Sequence, residues 1–299
     1  MNWRLYFLTC LALAISTAGC GSGTDKAATF GHYDEQPAAG PARVVHVHGL
    51  DINPKDGSRY AATHTGLFLF RADGSAERVG QSYQDTMGFT VTGPDQFLGS
   101  GHPDLRDYQS GRWPPHLGLI KSDDAGRTWK SVSLKGKADF HALKTTGDRT
   151  YGFNSSDSTL MMSKNAGKTW ETQAKLGLLD FAISPQDGEL LIGALETGLA
   201  ISADGGKSWQ PTSGPRPVVL FWQQDSRLWA LDKEGNIWLS TDRAGTWNLQ
   251  ASLPGSPEAF LDTGQVLYAS VHEEGIYSSN DDGRTWKLFY KDQPQGGLR

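Results

Sequence analysis

From about residue 43 onward the chain alternates short apolar runs with clusters of Gly, Asp, Asn, Ser and Pro. Runs such as Leu117-Gly118-Leu119-Ile120, Gly198-Leu199-Ala200-Ile201 and Gly275-Ile276-Tyr277 are too short for helices and are bounded by turn residues, so they predict strands joined in hairpins. The turn after each such run is nearly the same eight residues, Ser-x-Asp-x-Gly-x-Thr-Trp. The best copies are Ser122–Trp129 and Ser279–Trp286. Ser163–Trp170 carries Asn165 in place of the Asp, and Ser202–Trp209 carries Ser208 in place of the Thr. Ser240–Trp247 has its Gly one place late, at Gly245. The copies begin at 122, 163, 202, 240 and 279, so they stand 41, 39, 38 and 39 residues apart. A period of that size marks an array of supersecondary units.

The residue types suit a tight turn. The Asp carboxylate and Ser hydroxyl can accept backbone N–H groups that the turn leaves unpaired. The Gly supplies a positive φ, and the Trp opens the outgoing strand with a large apolar face. The motif resembles the Asp box, or bacterial neuraminidase repeat, of sialidases and other β-propellers, a resemblance that runs over roughly residues 43 to 290. In those families the box lies away from the active site, so the likeness implies a fold before it implies an activity.

Each repeat reads as four strands. In the first, strand A is Val44 to Ile52, strand B Arg59 to Thr63 and strand C Gly66 to Phe70, followed by a degenerate box around Asp73 and Gly74. The fourth repeats this with Phe181 to Ser184, a Pro-Gln-Asp-Gly turn and Leu190 to Ala194. Counting the degenerate copy, residues 43 to 290 divide into six units of about 41 residues, the size of a four-stranded blade. The expected fold is all-β: a six-bladed β-propeller of four-stranded antiparallel blades with Asp-box turns, spanning residues 43–299. The second repeat alone carries a long stretch between strands B and C, Gly99 to Pro115, with His102, Asp104, Arg106, Tyr108 and Trp113. Such loops on a rigid scaffold are where function concentrates.

Residues 1–20 read as an export signal, with Arg4 followed by the apolar Leu5 to Ile15 and small residues. The ending Thr17-Ala18-Gly19-Cys20 resembles a bacterial lipobox, which implies lipidation of Cys20 and a lipid anchor in the cell envelope. The only other Cys, Cys10, lies inside the signal, so the exported domain has neither thiol nor disulfide. Residues 21–42 are small, polar and rich in Gly, Ala and Pro, as in a flexible tether. The formal net charge of −5 gives no electrostatic case for nucleic acid, and the chain is expected to act as a monomer.

Antiparallel order places the starts of strand A and the B–C loops on one face of the propeller. His46 and His48 open strand A of the first blade, His141 that of the third, and Met87 takes the same position in the second. His64 and His102 end strand B of the first two blades. His46 and His48, two apart on a strand, are expected to point to the same side. Five of the eight His and one Met should therefore converge above the central channel, as a metal site suited to copper, or to zinc without the Met. A metal-free pocket for a small polar ligand and purely structural histidines are the competing readings. His116 and His272 are weaker candidates, one outside the cluster and one without an aligned partner.

The neuraminidase resemblance implies glycoside hydrolysis, but the Phe/Tyr-Arg-Ile-Pro motif of sialidases is absent, and Arg127, Arg243 and Arg284 fall inside the turn motifs. A general glycosidase needs two carboxylates across a cleft, for which Glu196, Asp232 and Glu273 are the available strand-B ends. The pattern HVHGL, ATHTGLF, GHPD and DFHAL also resembles exported bacterial Asp-box propellers called glycosylhydrolases on repeat similarity. Other relatives by repeat, photosystem II assembly factors and sortilin-type receptors, hold proteins or peptides, so an exported protein is a further candidate partner.

Overall fold

The computed structural model describes residues 43–71, 73–223 and 226–292. The expected export signal (residues 1–20, with Cys20) and the expected tether (residues 21–42) lie outside the described residues. The first blade is β1 (Val47–Ile52), β2 (Arg59–Thr63), β3 (Gly66–Phe70) and β4 (Ala76–Arg78). The second is β5 (Asp85–Gly93), β6 (Gln96–His102), β7 (Leu119–Ser122) and β8 (Lys130–Ser133), with the short helix α1 (Leu105–Gln109) between β6 and β7. The third is β9 (Phe140–Thr146), β10 (Arg149–Asn154), β11 (Thr159–Ser163) and β12 (Glu171–Lys175). The fourth is β13 (Leu178–Ile183), β14 (Leu191–Leu195), β15 (Gly198–Ser202) and β16 (Gln210–Pro211). The fifth is β17 (Pro217–Trp222), β18 (Leu228–Asp232), β19 (Asn236–Ser240) and β20 (Asn248–Ser252). The sixth is β21 (Pro257–Asp262), β22 (Leu267–Val271), β23 (Gly275–Ser279) and β24 (Lys287–Tyr290). Each sheet is a meander of four sequential strands, so the molecule is the expected six-bladed β-propeller.

The core lies between blades. Tyr60, Ala62 and Leu67 of the first blade pack against Phe89 and Phe97 of the second, and equivalent clusters fill the other joints. Among the described residues no strand is shared between the first and last blades. The ring closes by packing of Val47, Ala61 and Phe68 against Ala259, Leu261 and Tyr268. Two half-buried carboxylates brace neighbouring inner strands. Asp51 accepts from its neighbour Ile52 N and, across the joint, from Val91 N at 2.7 Å. Asp180 does the same with Phe181 N and Leu220 N. Burial pushes Asp51 up to about 6 despite these two amides.

The repeated turn is built alike in all five copies. In the second blade Ser122 Oγ donates to Asp124 Oδ1 at 2.8 Å and accepts from Gly126 N, while Asp124 accepts from Thr128 N and Thr128 Oγ1. The Asn165 copy keeps the geometry by reversing one bond, Asn165 Nδ2 donating to Thr169 Oγ1 at 2.8 Å. In the fifth blade Ala244 occupies the place of the Gly, its N–H on Ser240 Oγ at 3.0 Å and its φ at 70°.

These hydrogen bonds set an acid limit. Bonds from the hydroxyl and amide of Ser208, Thr246 and Thr285 lower Asp204, Asp242 and Asp281 to about 2. A carboxyl whose folded pKa lies below its unfolded value of about 3.9 stabilises fully above that value, and the contribution disappears as pH falls through the folded pKa. The urea midpoint is therefore expected to drop between about pH 4 and pH 2. In a triple Asp→Asn variant at 204, 242 and 281 the drop over that window should be visibly shallower; an unchanged profile would assign acid sensitivity elsewhere.

Two details differ from the sequence reading. Strand β1 begins at Val47, so His46 precedes it, with φ 48° in the left-handed region. The two histidines are therefore not alternate residues of one strand: His46 faces Glu258 and His48 faces Asp85, while both rings approach that of His64. The long stretch of the second blade begins later than Gly99, because β6 continues through His102. Its next turn is helical: Asp104 caps α1 by accepting from Arg106 N, and its other oxygen accepts from Tyr83 N, both at 2.9 Å.

Candidate metal centre

Every inner strand carries a β-bulge against its neighbour at the same place. The register skips one residue between Val47 and Gly49, Thr86 and Gly88, Phe140 and Ala142, Leu178 and Asp180, Pro217 and Val219, and Pro257 and Ala259. The skipped residues are His48, Met87, His141, Leu179, Val218 and Glu258. A bulge re-aims its side chain, and all six line the central channel, a cavity of about 500 Å³. The ring is chemically lopsided. Blades six, one, two and three contribute a carboxylate, two imidazoles and a thioether, while blades four and five contribute Leu179 and Val218.

Around the polar half of this ring stand all seven histidines of the described residues, together with three carboxylates. Six of these histidines and the three carboxylates gather in three groups whose candidate ligand atoms lie within 4.8 Å of one another: His48, His64 and Asp85; His102, His116 and Asp139; His46, Glu258 and His272. The six residues singled out from the sequence thus do not share one point. His48 and His64 go with Asp85, their rings 4.5 Å apart. His102 goes with His116, and His46 joins Glu258 and His272 at the joint of blades one and six. Met87 lines the channel in the bulge between them. His141 approaches the second group from the channel side, its Nε2 3.0 Å from Asp139 Oδ2.

Local structure explains each placement. Asp85 starts β5, two residues before the bulge at Met87, and Asp139 immediately precedes β9, two before the bulge at His141. His46 has the same spacing to His48. This recurring pair, a polar residue two places ahead of the bulge, was legible in the sequence as Asp85-Thr86-Met87 and Asp139-Phe140-His141. Sequence reasoning passed over the carboxylates because acidic residues near turns are ordinary. His116 enters because the insertion in the second blade returns beside its own start, with Leu117 N donating to Gly101 O at 2.9 Å. That closure sets the His102 and His116 rings 5.7 Å apart.

The carboxylates are hubs. Asp85 Oδ2 faces His102 Nδ1 at 3.4 Å and His64 Nδ1 at 3.9 Å, while Oδ1 faces His48 Nε2 at 3.3 Å. His102 spans the two groups, its Nε2 3.6 Å from Asp139 Oδ2. Asp139 Oδ2 also accepts from Ser155 Oγ and stands 4.0 Å from His116 Nδ1. Burial alone would raise both acids, yet the imidazoles around them win. His102 and His48 hold Asp85 well below the usual carboxylate range, and His141 and His102 hold Asp139 down. Burial lowers His102 less than Asp85 and Asp139 raise it, whereas burial prevails at His116 and pushes it down.

His48 Nε2, Asp85 Oδ1 and Asp139 Oδ1 are shielded from solvent and make no hydrogen bond of good geometry. The first two face each other off the hydrogen-bond direction. An unsatisfied buried carboxylate oxygen costs about 1–3 kcal/mol or more, and native proteins rarely leave one without a reason. Two imidazoles and a carboxylate form a known ligand set for zinc, and imidazole also suits copper.

The alternative catalytic carboxylates are not brought together in this way. Glu196 and Glu273 are exposed, and Asp232 is engaged by Asn236 and by Trp238 Nε1 at 3.1 Å.

No family model matches the sequence, and no curated protein matches it. Solved structures match the fold. A GH74 xyloglucanase from Xanthomonas campestris is similar with a TM-score of 0.56 and 18% identity, covering 83% of this chain and 46% of that one. A gluconolactonase from the same organism reaches 0.61 at 13% identity, over 77% and 84% of the two chains. YCF48 bound to a D1 peptide reaches 0.52 at 17% identity, over 84% and 86%. The chain spans about half the length of the GH74 structures it matches. At these identities the likeness is one of fold.

Proposed function

We propose that this protein is a metal-binding propeller of the cell envelope, anchored by a lipid on Cys20, which takes zinc or copper ions on the polar half of its channel mouth. The observation that carries the metal reading is the pair of two-histidine, one-carboxylate groups in which one oxygen of each carboxylate is buried without a hydrogen bond. Bound metal would satisfy those oxygens, and the rigid inner strands would present the ligands with little reorganisation. Second contacts orient the ligands, as metal sites require: Ser155 and His141 hold Asp139. The test is elemental analysis and titration calorimetry of the tag-free protein with zinc and copper. Stoichiometric binding is expected, and a protein that takes up neither ion at millimolar concentration would return the histidines to structural duty.

A peptide-holding role is the second reading. It is favoured by the fold likeness to YCF48, a chain of similar extent solved with a peptide bound, and by the exposed Leu179 on the apolar half of the ring. Among the described residues no helix is long and apolar enough to cross a membrane. The anchor rests on the lipobox-like sequence ending at Cys20. The Cys20→Ser protein is expected to leave the membrane fraction or to keep its signal; wild-type processing and membrane retention would sink the anchor.

A further inference from the structure

We infer that His46, Glu258 and His272 form a separate metal site, for zinc or another borderline divalent ion, that locks the propeller ring where its first and last blades meet. This goes beyond the metal reading of the channel mouth and does not depend on it.

The joint is unlike the other five. Elsewhere neighbouring blades follow one another in the chain, so their contact closes only a short loop. Here β1 meets β21 across more than two hundred residues, as the bond from Val47 N to Glu258 Oε2 at 3.1 Å shows with its separation of 211. Among the described residues no strand crosses this joint, which is held by apolar packing and side-chain contacts. A ring open at one seam can part there without disturbing the blades themselves, and a cross-link at that seam opposes the opening.

The three side chains are arranged as ligands across this seam. Glu258 is the bulge residue of β21. Its Oε2 is occupied by Val47 N and by Ser270 Oγ at 3.0 Å, which turns Oε1 toward the two imidazoles. His46 Nδ1 stands 3.4 Å from that oxygen, close to the roughly 3.3 Å that tetrahedral zinc sets between ligands bound at about 2.0–2.1 Å. His272 Nδ1 stands 2.8 Å from the same oxygen, and the His46 and His272 rings lie 4.8 Å apart. His46 comes from the start of the chain's first blade, and the other two from the last. A cavity of about 380 Å³ lined by these three residues leaves room for water to complete the coordination. His46 takes a left-handed φ of 48° just ahead of β1, and its ring lies 4.8 Å from that of His64 as well. Hydrogen bonding alone accounts for Glu258 and His272, but not for a second imidazole, that of His46, standing 3.4 Å from the same oxygen from the opposite end of the fold.

The test uses full-length protein and zinc chloride, with Asp85→Asn/Asp139→Asn to silence the channel-mouth groups. His272→Ala is then added; His272 is 44% exposed, so its removal leaves the core intact. The double variant is expected to keep one equivalent of zinc. Zinc at one hundred times its Kd should raise the Tm by roughly 5–10 °C and slow amide exchange in β1 and β21. Adding His272→Ala should remove that equivalent, the Tm shift and the added protection together, while circular dichroism and the metal-free Tm stay as before. A double variant without zinc, or a triple variant that keeps it, would overturn the seam site. Should wild type hold a single zinc that depends on His272 and not on Asp85 or Asp139, the seam stands and the channel-mouth reading fails.

Discussion

Asp85→Asn is expected to weaken zinc or copper binding at the first channel-mouth group by on the order of 100-fold or more, with the protein still folded. Asn keeps the shape of the side chain and can accept from His102, so the local backbone has no cause to move. The negative charge goes, and with it the anionic ligand faced by His48, His64 and His102 at 3.3, 3.9 and 3.4 Å. Asp139→Asn should do the same to the second group. Because His102 stands between both carboxylates, each single variant should also shift affinity at the other group. His141→Ala should cost less, about 10-fold, because His141 bears on the site by holding Asp139. Calorimetry with elemental analysis reads all three. Equal affinities in wild type and Asp85→Asn would show that the carboxylate serves the histidines alone.

The second large effect concerns the joints between blades. Gly167 has φ 78°, and a Cβ built on it would lie 2.0 Å from Leu119 Cδ2 in the preceding blade. Its peptide cannot retreat, since its N–H is held by Ser163 Oγ and its carbonyl accepts from Trp170 Nε1, both at 2.9 Å. Gly167→Ala therefore combines left-handed strain of about 1–2 kcal/mol with overpacking of about 1–3 kcal/mol. A loss of roughly 2–5 kcal/mol is expected, a large share of the total stability of a typical domain. The fifth blade supplies the contrast. There Ala244 holds the same place at φ 70° and packs in one cluster with Leu199 of the preceding blade. In Ala244→Gly the relief of strain and the loss of a buried methyl, each about 1 kcal/mol, should nearly cancel. Urea midpoints of the two variants measure the difference; shifts of equal size and opposite sign would mean that φ alone, and not the Leu119 contact, governs the position.

The turn motif was fully legible because everything it needs lies within eight residues: the Ser, the Asp, the glycine φ and the Trp act on one another locally. Its period gave the number of blades, and strand alternation within each period gave the face on which His48, Met87 and His141 lie. Those three do occupy equivalent bulges on the channel. The bulges themselves were not legible, since one extra residue in a strand leaves no compositional mark, and they decide which side chain turns inward. The missed ligands fail in a consistent way. Glu258 and His272 belong to the last blade, which becomes a neighbour of the first only when the ring closes. His116 reaches His102 only because the inserted loop returns beside its own start.

By itself, then, the sequence determined the repeat, the strands, the turn chemistry and the face that carries the histidines, because each depends on contacts within a few residues. Only the tertiary structure decided that the histidines divide among three carboxylates and that two of those groups straddle the blades in between. It alone brought the two ends of the fold together at His46, Glu258 and His272. These relations depend on the closure of a ring over more than two hundred residues, which no local pattern encodes.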